Sequence, residues 1–431
     1  MIVARLPYQS PETAFASFAG MDGLAFLDSS AQADPRASVS YLCLSPLATL
    51  SLHTAPFETL RTWMAAYTPK TPPTEWPFPF AGGAAGWIGY DLSLKTAGVE
   101  SRFAPMQGIP EGWFGLYTTI LGFDLQRQEL YYLGPADRLP DITARLRTTP
   151  AFPPLPPLVW TEEMSLTTYH EHHECLRAYI AAGDIYQANL TLRFTAPRPA
   201  GFSLPALYAA LRQRSPAPFA ACIQADHAGL ACASPERFLR LMPNGIVETR
   251  PIKGTAARQP TPEADLQAAA ALRANPKERA ENLMITDLLR NDLGQVCDIG
   301  SVQVPELWAV ESYAQAHHLV SAVTGRLRPE LDAFDLLAAT LPGGSITGAP
   351  KRRAMQIIDE LETNPRGAYC GTLAWIGFDG AMDSAIIIRT ITMTSDQLYA
   401  QAGGGITWDS VANAEYEEAM VKISPLLAAH K

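Results

Sequence analysis

The sequence lacks a concentrated run of basic residues and any apolar stretch long enough to cross a membrane. Its formal net charge is -10, whereas a protein that binds a nucleic-acid backbone needs a basic face, and this sequence contains none. No stretch approaches the roughly 20 apolar residues that span a bilayer. The first residues reach Arg5 and Pro7 before the apolar segment of a signal peptide can form. We therefore expect a soluble, cytoplasmic protein with no membrane or nucleic-acid partner.

The cysteines also lack the spacing of a metal site or a disulfide framework. There are six of them, scattered along the chain without a C-x-x-C pair. This distribution is typical of reduced thiols in a cytosolic protein, and we expect no disulfide bonds.

Apolar residues and prolines, by contrast, are plentiful. The chain has 431 residues, of which 47% are hydrophobic, so there is enough material for a large core. The segment TTPAFPPLPPL, 148–158, contains five prolines. It predicts an extended linker, because proline disfavours both helix interiors and sheet ladders. This linker separates a first region, 1–150, from a longer second region, 159–427.

Strand-like and helix-like patterns occur in both regions without strict alternation. GGAAGWIGYDL, 82–92, and WFGLYTTILGFDL, 113–125, have the β-branched and aromatic bias of strands, and AMDSAIIIRTITM, 381–393, is typical of a central strand. Because these strands do not alternate strictly with helices, the pattern favours an α+β fold over a doubly wound sheet.

The segment NPKERAENLMITDLLRNDLG, 275–294, predicts a helix with clear ends. Asn275 is a suitable cap, Pro276 suits the first turn and Gly294 suits the end. Apolar residues at helical spacing predict a buried stripe made of Ala280, Leu283, Met284, Ile285, Leu288 and Leu289.

Two pairs of glutamates stand three residues apart on predicted helices. Glu278 and Glu281 belong to segment 275–294, and Glu415 and Glu418 belong to NAEYEEAMVKISPLL. The spacing puts both members of each pair on one helix face. If the pairs converge, they supply the oxygen ligands that Mg²⁺ prefers; if not, they are ordinary solvated faces. Glu281 favours the metal site, because an unpartnered carboxylate in the apolar part of a helix is costly.

Two glycine-rich segments precede predicted helices. LPGGSITGAPKRRAMQIIDELE, 341–362, leads into a helix that Pro350 opens, and AGGGITWDS, 402–410, precedes the second glutamate helix. Free N–H groups at such loops can hold an anion. Together with Arg389 they indicate a substrate with two carboxylates. The alternative is that each loop is only a tight turn.

Lys253, in TRPIKGTAAR, stands between an isoleucine and a glycine in a strand-like setting. A buried lysine loses hydration, so its pKa falls and a neutral, nucleophilic amine becomes accessible. The alternative is a charged residue on an edge strand, where lysine discourages pairing between sheets. Glu236, in ASPERFL, is similarly either a surface charge or a protonated general acid. His317 and His318, taken alone, favour a structural role.

Taken together, these motifs resemble the chorismate-utilising enzymes from about Thr161 to Leu427, and GGAAGWIGYDL is more loosely similar to the amino-terminal region of the same family. The resemblance implies an α+β fold of two large antiparallel β-sheets, packed as a sandwich with helices on the outside and with both regions in one body. The segments that carry it are IYQANLTLRF, ASPERF, TRPIKGT, AENLMITDLLRNDLG, HHLVS, PGGSITGAPKRRAMQIIDELE, RGAYCG, IIIRT, AGGGI and EYEEAMVK.

Two positions discriminate among members of this family. Anthranilate and isochorismate synthases typically have alanine where this sequence has Lys253, and isochorismate and salicylate synthases have a water-activating lysine where it has Gln187. The combination of Gln187 and Lys253 resembles the branch that aminates chorismate at C4. The resemblance therefore implies formation of 4-amino-4-deoxychorismate for 4-aminobenzoate and folate biosynthesis.

The resemblance also implies roles for individual residues. Glu236 matches the general acid that protonates the departing C4 hydroxyl, and Lys253 matches a nucleophile that attacks C2 before ammonia displaces it. The family binds Mg²⁺ through Glu281 and Glu418, with Glu278 and Glu415 behind them or bound through water. The other matching positions contact or line the substrate site and comprise Gln187, His318, Thr347, Tyr369, Arg389, Gly404, Gly405 and Lys422.

Ammonia must come from elsewhere, because no cysteine lies in a glutaminase-type G-x-C-x-G elbow. The resemblance implies a separate glutamine amidotransferase subunit and hence a heterodimer. Two alternatives remain open: an anthranilate synthase component I, which Lys253 argues against, and a chorismate-binding homologue without catalysis, which the intact acidic residues argue against.

Overall fold

The computed structural model describes residues 1–31, 34–67, 75–148, 150–313 and 316–430. Thr149, in the predicted proline-rich linker, lies outside the described residues. The described elements of the first region are β1 (Ile2–Leu6), α1 (Pro11–Phe18), β2 (Ala25–Asp28), β3 (Val39–Leu44), β4 (Ala48–Leu52), α2 (Pro56–Ala65), β5 (Gly83–Ile88), α3 (Tyr90–Thr96), β6 (Gly112–Tyr117), β7 (Thr119–Asp124), β8 (Glu129–Gly134) and α4 (Leu139–Leu146).

The second region contains the longer helices and the remaining strands. No described helix is long and apolar enough to cross a membrane. Its elements are β9 (Thr161–Glu162), α5 (Leu166–Ala181), β10 (Gln187–Pro197), α6 (Leu204–Arg214), β11 (Phe219–Ala225), β12 (Ala228–Ser234), β13 (Arg237–Leu241), β14 (Ile246–Thr249), β15 (Ile252–Ala257), α7 (Pro262–Ala274), α8 (Pro276–Gly294), β16 (Gln303–Ser312), β17 (Ala316–Arg326), α9 (Ala333–Thr340), β18 (Gly348–Ala349), α10 (Lys351–Leu361), β19 (Thr372–Gly377), β20 (Met382–Ile386), β21 (Thr390–Met393), β22 (Gln397–Ile406) and α11 (Ala412–Leu427).

Within the described residues, the strands form two antiparallel sheets. The large sheet has 12 strands in the order β1-β8-β7-β3-β2-β11-β12-β21-β22-β10-β18, with β9 beside β10. The small sheet has 10 strands in the order β15-β17-β14-β13-β20-β19-β5-β6-β4, with β16 beside β17. These two sheets with surrounding helices confirm the predicted α+β fold.

Both regions of the chain contribute to both sheets. In the large sheet, β2 of the first region pairs with β11 of the second, for example Leu27 with Ala221. In the small sheet, β5 pairs with β19, for example Trp87 with Leu373. In both sheets, hydrogen-bonded strand pairs therefore join the two regions that the proline-rich linker separates in the sequence.

The apolar core has three layers. The middle layer lies between the sheets and joins large-sheet residues such as Tyr41 and Ile223 to small-sheet residues such as Trp87 and Trp113. A second layer packs α1, α5, α6, α10 and α11 on the large sheet. A third packs α2, α3, α8 and α9 on the small sheet. Each sheet thus buries side chains on both faces, as a sandwich covered by helices requires.

Two strand-like segments each divide between the sheets. Segment 113–125 forms β6 in the small sheet and then β7 in the large sheet, and segment 381–393 forms β20 in the small sheet and then β21 in the large sheet. The prediction of one central strand in 381–393 was wrong, because β-branched residues favour extended backbone without specifying which sheet they join. The chain also crosses between sheets from β12 to β13, at Pro235 and Glu236.

Helix α8 has the predicted ends and part of the predicted buried face, since Ile285 and Leu289 are buried. The Asn275 side chain accepts hydrogen bonds from the first backbone N–H groups, and the helix ends at Gly294. Ala280 and Leu283 of the predicted stripe are exposed, whereas Asn282 is fully buried. The amide of Asn282 contacts the Pro251 carbonyl and the Ser321 hydroxyl, and these partners allow a polar residue to occupy the buried face.

Candidate active site

A cavity of about 760 Å³ opens where the two sheets and helix α11 meet. Its lining includes residues from the ends of several strands, from the β12–β13 and β20–β21 crossings and from the first region of the chain. The sequence-predicted residues that line it are Glu236, Lys253, His318, Tyr369, Arg389, Gly404, Gly405, Glu418 and Lys422.

Glu236 and Arg389 form one side of the cavity, which we call the crossover wall. Each stands where the chain passes from one sheet to the other. Backbone hydrogen bonds hold both crossings against neighbouring strands: Ile386 N–H donates to the Glu236 carbonyl (3.2 Å), and Ala233 N–H donates to the Arg389 carbonyl (3.0 Å). Arg389 has φ +50, a conformation that costs free energy for a residue with a side chain.

Arg389 is suited to binding an anion. Within the described residues, its guanidinium takes part in no ion pair or side-chain hydrogen bond, and it is accessible through the cavity that it lines. The surrounding protein lowers its pKa by desolvation. An arginine without a protein partner at a cavity wall offers paired N–H donors to a carboxylate.

Glu236 lies in an environment that favours its protonated form. Desolvation raises the pKa of its carboxyl. A hydrogen bond from Ser345 and the charge of Lys253 act in the opposite direction. A carboxyl with a raised pKa beside a cavity is a suitable proton donor.

Lys253 and Gly254 form the opposite side, which we call the edge wall. The ladder between β15 and β17 shifts register between Ile252 and Thr255, and such an irregularity re-aims side chains. Gly254 has φ +87, and a side-chain carbon there would lie 2.8 Å from Glu278 Oε2. The glycine after the lysine is therefore required both by the backbone and by the approach of Glu278.

The position of Lys253 agrees in part with both interpretations, the edge-strand residue and the residue of the active site. Strand β15 ends the path of the small sheet, so Lys253 does lie on an edge strand. Its half-buried side chain nevertheless faces the cavity, and its Nζ lies 3.4 Å from Glu281 Oε2.

The four predicted metal ligands lie on helices that face one another, but lysines pair with two of them. Glu281 lies near Lys253, and Glu418 lies 2.7 Å from Lys422 Nζ. Glu415 is buried and accepts a hydrogen bond from the Ser410 hydroxyl (2.7 Å). Burial raises the pKa of Glu278, and the negative charges of Glu281 and Glu418 add to this.

This arrangement supplies carboxylate oxygens of the type that Mg²⁺ prefers. In the part of the chain that the structure describes, however, no three carboxylate, histidine or cysteine side chains are grouped closely enough to hold a metal ion. The donor chemistry fits magnesium, and the two lysine pairs occupy oxygens that a metal would use.

The glycines of AGGGITWDS lie within a strand and not in the predicted loop. Gly403, Gly404 and Gly405 belong to β22 and pair with β10. A side-chain carbon on Gly405 would lie 2.4 Å from Gln187 Nε2, and one on Gly404 would lie 3.2 Å from Glu415 Oε2. Glycine is therefore needed here because other side chains occupy the space, which a sequence pattern cannot distinguish from a turn.

Gln187 lies beneath this strand, beside Gly405 and outside the residues that line the cavity. It is fully buried, and neither atom of its side-chain amide has a hydrogen-bond partner among the described residues. A buried amide without partners is costly, so this position is suited to a polar atom supplied by a ligand or by water.

Segment 341–362 contains helix α10 as predicted, after a short 3₁₀ helix, Gly344–Ile346. Ser345 and Ile346 line the cavity. Thr347 is fully buried behind them, where its hydroxyl donates to the Gly343 carbonyl (2.8 Å). The structure therefore brings the loop to the site but gives Thr347 a partner within the loop.

His318 and Tyr369 complete the predicted set. His318 Nδ1 lies 3.0 Å from the Thr255 hydroxyl, and burial together with the charges of Arg36 and Arg389 lowers its pKa. Burial raises the pKa of Tyr369 well above its usual value. The adjacent His317 faces away, between Asp265 and Ser312.

Several cavity residues were not predicted from the sequence, and four of them come from the first region: Ser30, Ala31, Asp34 and Arg36. Asp34 and Arg36 line the cavity and form a bidentate pair, and the Arg36 guanidinium lies 4.5 Å from the centre of the Tyr313 ring. They follow β2 in a segment without a motif, so only the tertiary structure brings them to the site.

Comparison with known proteins agrees with this geometry. The chorismate binding enzyme family matches residues 23–428. The chain is 42% identical to aminodeoxychorismate synthase component 1 of Salmonella typhimurium over 91% of this chain and 86% of that protein. It is 45% identical to the protein of the same name from Klebsiella aerogenes over 81% and 77%. The crystal structure of anthranilate synthase component I from Streptococcus pneumoniae superposes with a TM-score of 0.80 at 32% identity, over 91% of this chain and 93% of that one.

Proposed function

The chain belongs to the chorismate-binding enzymes, and on that premise we propose that it is the chorismate-aminating component of an aminodeoxychorismate synthase. It converts chorismate and ammonia to 4-amino-4-deoxychorismate and water. The observation that carries this function is Lys253 on the edge wall, in the same cavity as Glu236 and Arg389.

Chorismate carries two carboxylates, and the cavity offers cations for them. Arg389 has no protein partner for its guanidinium among the described residues. Lys422 donates to the Gly403 carbonyl (3.0 Å) beside the glycine strand. Charge-assisted hydrogen bonds from such groups fix the substrate ring between the two walls.

The first step is loss of the C4 hydroxyl. Hydroxide is a poor leaving group, so Glu236 donates its proton and the oxygen departs as water. The neutral amine of Lys253, which lies 3.4 Å from Glu281 Oε2, forms a bond to C2. The electron pairs of the two conjugated ring double bonds shift towards C4 as the C4–O bond breaks.

In the second step, ammonia forms a bond to C4. The two ring double bonds shift back, the C2–N bond breaks and Lys253 is released as an amine. Ammonia loses a proton as the product amine forms, and a proton returns to Glu236 for the next cycle. Two displacements with allylic shift thus place nitrogen where oxygen had been.

Mg²⁺ would be held by Glu281 and Glu418, with Glu278 and Glu415 behind them. When bound, it supplies positive charge that neutralises a substrate carboxylate. Glu418→Gln is expected to raise the Mg²⁺ concentration needed for half-maximal rate by about tenfold or more. Glu417→Gln, at the next and exposed position of α11, is the matched control. Equal Mg²⁺ requirements in both variants would contradict the assignment.

Ammonia is supplied by a partner. Relatives that are 42% and 45% identical to this chain are named component 1, and that name implies a second component. We assign the second component as a glutamine amidotransferase that forms a heterodimer with this chain. Co-purification of the two subunits and glutamine-dependent turnover only in the mixture would support it.

The competing function is anthranilate synthesis, because an anthranilate synthase component shares the fold. Chorismate, Mg²⁺ and an ammonium salt are supplied to the purified protein, and the product is identified by mass and by its conversion with an aminodeoxychorismate lyase. Anthranilate fluorescence would overturn the proposal. No turnover with or without the glutaminase would indicate a binding protein.

A further inference from the structure

Arg366 is a buried arginine that does not itself line the cavity. Its side chain is 1% exposed and pairs with Glu362, which is 6% exposed. The fork is bidentate, with Nε donating to Oε2 (2.9 Å) and Nη2 donating to Oε1 (2.7 Å). Taking two charges out of water is costly, so the remaining donors of such a pair need partners.

Those remaining donors reach two segments that line the cavity. Nη1 donates to the carbonyl of Ile346 (2.8 Å), and Nη2 donates to the carbonyl of Asn189 (2.8 Å). The Arg366 carbonyl in turn accepts from Gln401 Nε2 (3.0 Å). Ile346, Asn189 and Gln401 all line the cavity, so one buried residue ties together the 3₁₀ helix, β10 and β22.

Two of these contacts lie next to residues assigned to the site. Ile346 follows Ser345, which lines the same cavity as Glu236 and whose hydroxyl lowers the pKa of the Glu236 carboxyl. Asn189 pairs with Gly405 in the ladder between β10 and β22. A shift of either segment would therefore move the proton donor or the strand beneath the substrate.

The first region of the chain supports the same residue. The Asp91 carboxylate accepts hydrogen bonds from the backbone N–H groups of Arg366 (3.2 Å) and Gly367 (2.9 Å), and the Tyr90 ring lies 4.5 Å from the guanidinium. Both residues belong to α3. Helix α3 thus contacts both the backbone and the side chain of Arg366.

We infer that Arg366, held by Glu362, is a positioning residue that sets the Ser345–Ile346 segment against Glu236 and so fixes the proton donor for amination. This inference rests on the proposed function. Only a planar group with several donors can hold one carboxylate and two carbonyls at once, so lysine is not equivalent here. A purely structural ion pair would affect folding but not the titration of Glu236.

The test compares Arg366→Lys with the intact enzyme. The variant retains the charge that Glu362 needs but loses the fork and at least one carbonyl bond. We expect kcat to fall by about 10- to 100-fold, because small misplacements of reacting groups have effects of this size, with a smaller change in KM. The limb of the pH profile that reports Glu236 is expected to move to higher pH, since a displaced Ser345 lowers the pKa of Glu236 less.

Lys351→Met is the matched control. Lys351 Nζ also pairs with a buried carboxylate, Asp292 (2.6 Å), and donates to one carbonyl, that of Thr340 (2.7 Å), but neither partner lines the cavity. We expect it to lower the melting temperature without moving the pH profile. A wild-type kcat and pH profile in Arg366→Lys, or the same shift in Lys351→Met, would overturn the inference.

Two further measurements keep the outcome decisive. If Arg366→Lys does not fold, Glu362→Gln loosens the same fork and is expected to produce a smaller shift in the same direction; a wild-type profile there overturns the inference.

Turnover is followed as chorismate consumption, with the product identified separately. Anthranilate as the wild-type product would refute the proposed function while the ratio of variant to wild type still tests Arg366. If the wild-type enzyme does not turn over chorismate, the test is the chorismate-induced rise in melting temperature, which Arg366→Lys should reduce.

Discussion

The crossover wall and the edge wall use opposite structural means to present chemistry to the same cavity. Glu236 and Arg389 stand at passages between two sheets, with backbone hydrogen bonds to neighbouring strands. Lys253 stands at a register shift on the last strand of the small sheet, with a glycine beside it.

This difference matches two requirements of the reaction: some groups must keep a fixed position, and one charged group must move. A proton donor and a carboxylate-binding group must hold their positions through both steps, and many surrounding strands fix them. The lysine must leave its pairing with Glu281, bond to the substrate and return. An edge strand with few ladder bonds allows such a movement more readily than a central one.

The largest expected effect breaks the edge wall. Lys253→Ala removes the nucleophile, and formation of 4-amino-4-deoxychorismate should fall by at least about a thousand-fold. Product formation is measured with ammonium salt as the nitrogen source. Lys277→Ala is the control, because Lys277 also lies near Glu281 (3.9 Å) but is half exposed on α8. Wild-type activity in Lys253→Ala would refute the covalent route.

The next effect breaks the crossover wall. Glu236→Gln removes the proton donor, and kcat is expected to fall by about 100- to 10,000-fold. Because the pKa of Glu236 is raised, the intact enzyme keeps this proton to higher pH and loses rate as pH rises through that pKa. The variant should lack this decline. A pH profile of kcat that keeps the same limb in Glu236→Gln would assign the acid elsewhere.

A smaller effect separates binding from chemistry on the same wall. Arg389→Gln keeps hydrogen-bonding capacity but removes the charge. The KM for chorismate is expected to rise by about 10- to 100-fold, since hydrogen bonds to charged groups contribute about 1.5–3 kcal/mol. Steady-state kinetics with chorismate as the varied substrate measures this rise. An unchanged KM would show that another group holds the carboxylate.

The smallest effect concerns Asp91, which supports the backbone at Arg366 and Gly367. Burial raises the pKa of Asp91 to about 7, so the folded state favours the protonated carboxyl. Its stabilising contribution is complete below the unfolded pKa of about 4 and is lost as pH rises to about 7. The melting temperature should therefore decline between about pH 5 and about pH 7, and Asp91→Asn should reduce that decline by a few degrees. Calorimetry across this range measures it, and an unchanged slope contradicts it.

The elements that were predicted correctly have local causes. Helix α8 begins after Asn275 and ends at Gly294 because the cap and the end are read within a few residues. Helix α10 begins after Pro350 for the same reason. The TRPIKGT lysine reaches a cavity that also receives Glu236 and Arg389, and the motif contains the glycine that the register shift requires.

The elements that were predicted wrongly depend on distant partners. The buried face of α8 includes Asn282 in place of Ala280 and Leu283, because carbonyls and a hydroxyl from β17 and the turn before β15 satisfy the Asn282 amide. The glycines of β22 are small because Gln187 and Glu415 occupy the space. No window of sequence contains both members of these pairs.

The residues able to carry the chemistry can be identified from the sequence: a lysine beside a glycine, two glutamate pairs at helical spacing, the acid Glu236, and an arginine in a strand-like run. Three features follow only from the tertiary structure. Segment 381–393 changes sheets at Arg389, and Arg36 from the first region reaches the cavity. Arg366 links three segments that line the cavity. The physical reason is the distance along the chain between the residues that interact. Caps and turns are satisfied within a few residues, whereas a cavity wall is set by hydrogen bonds and packing between residues hundreds of positions apart.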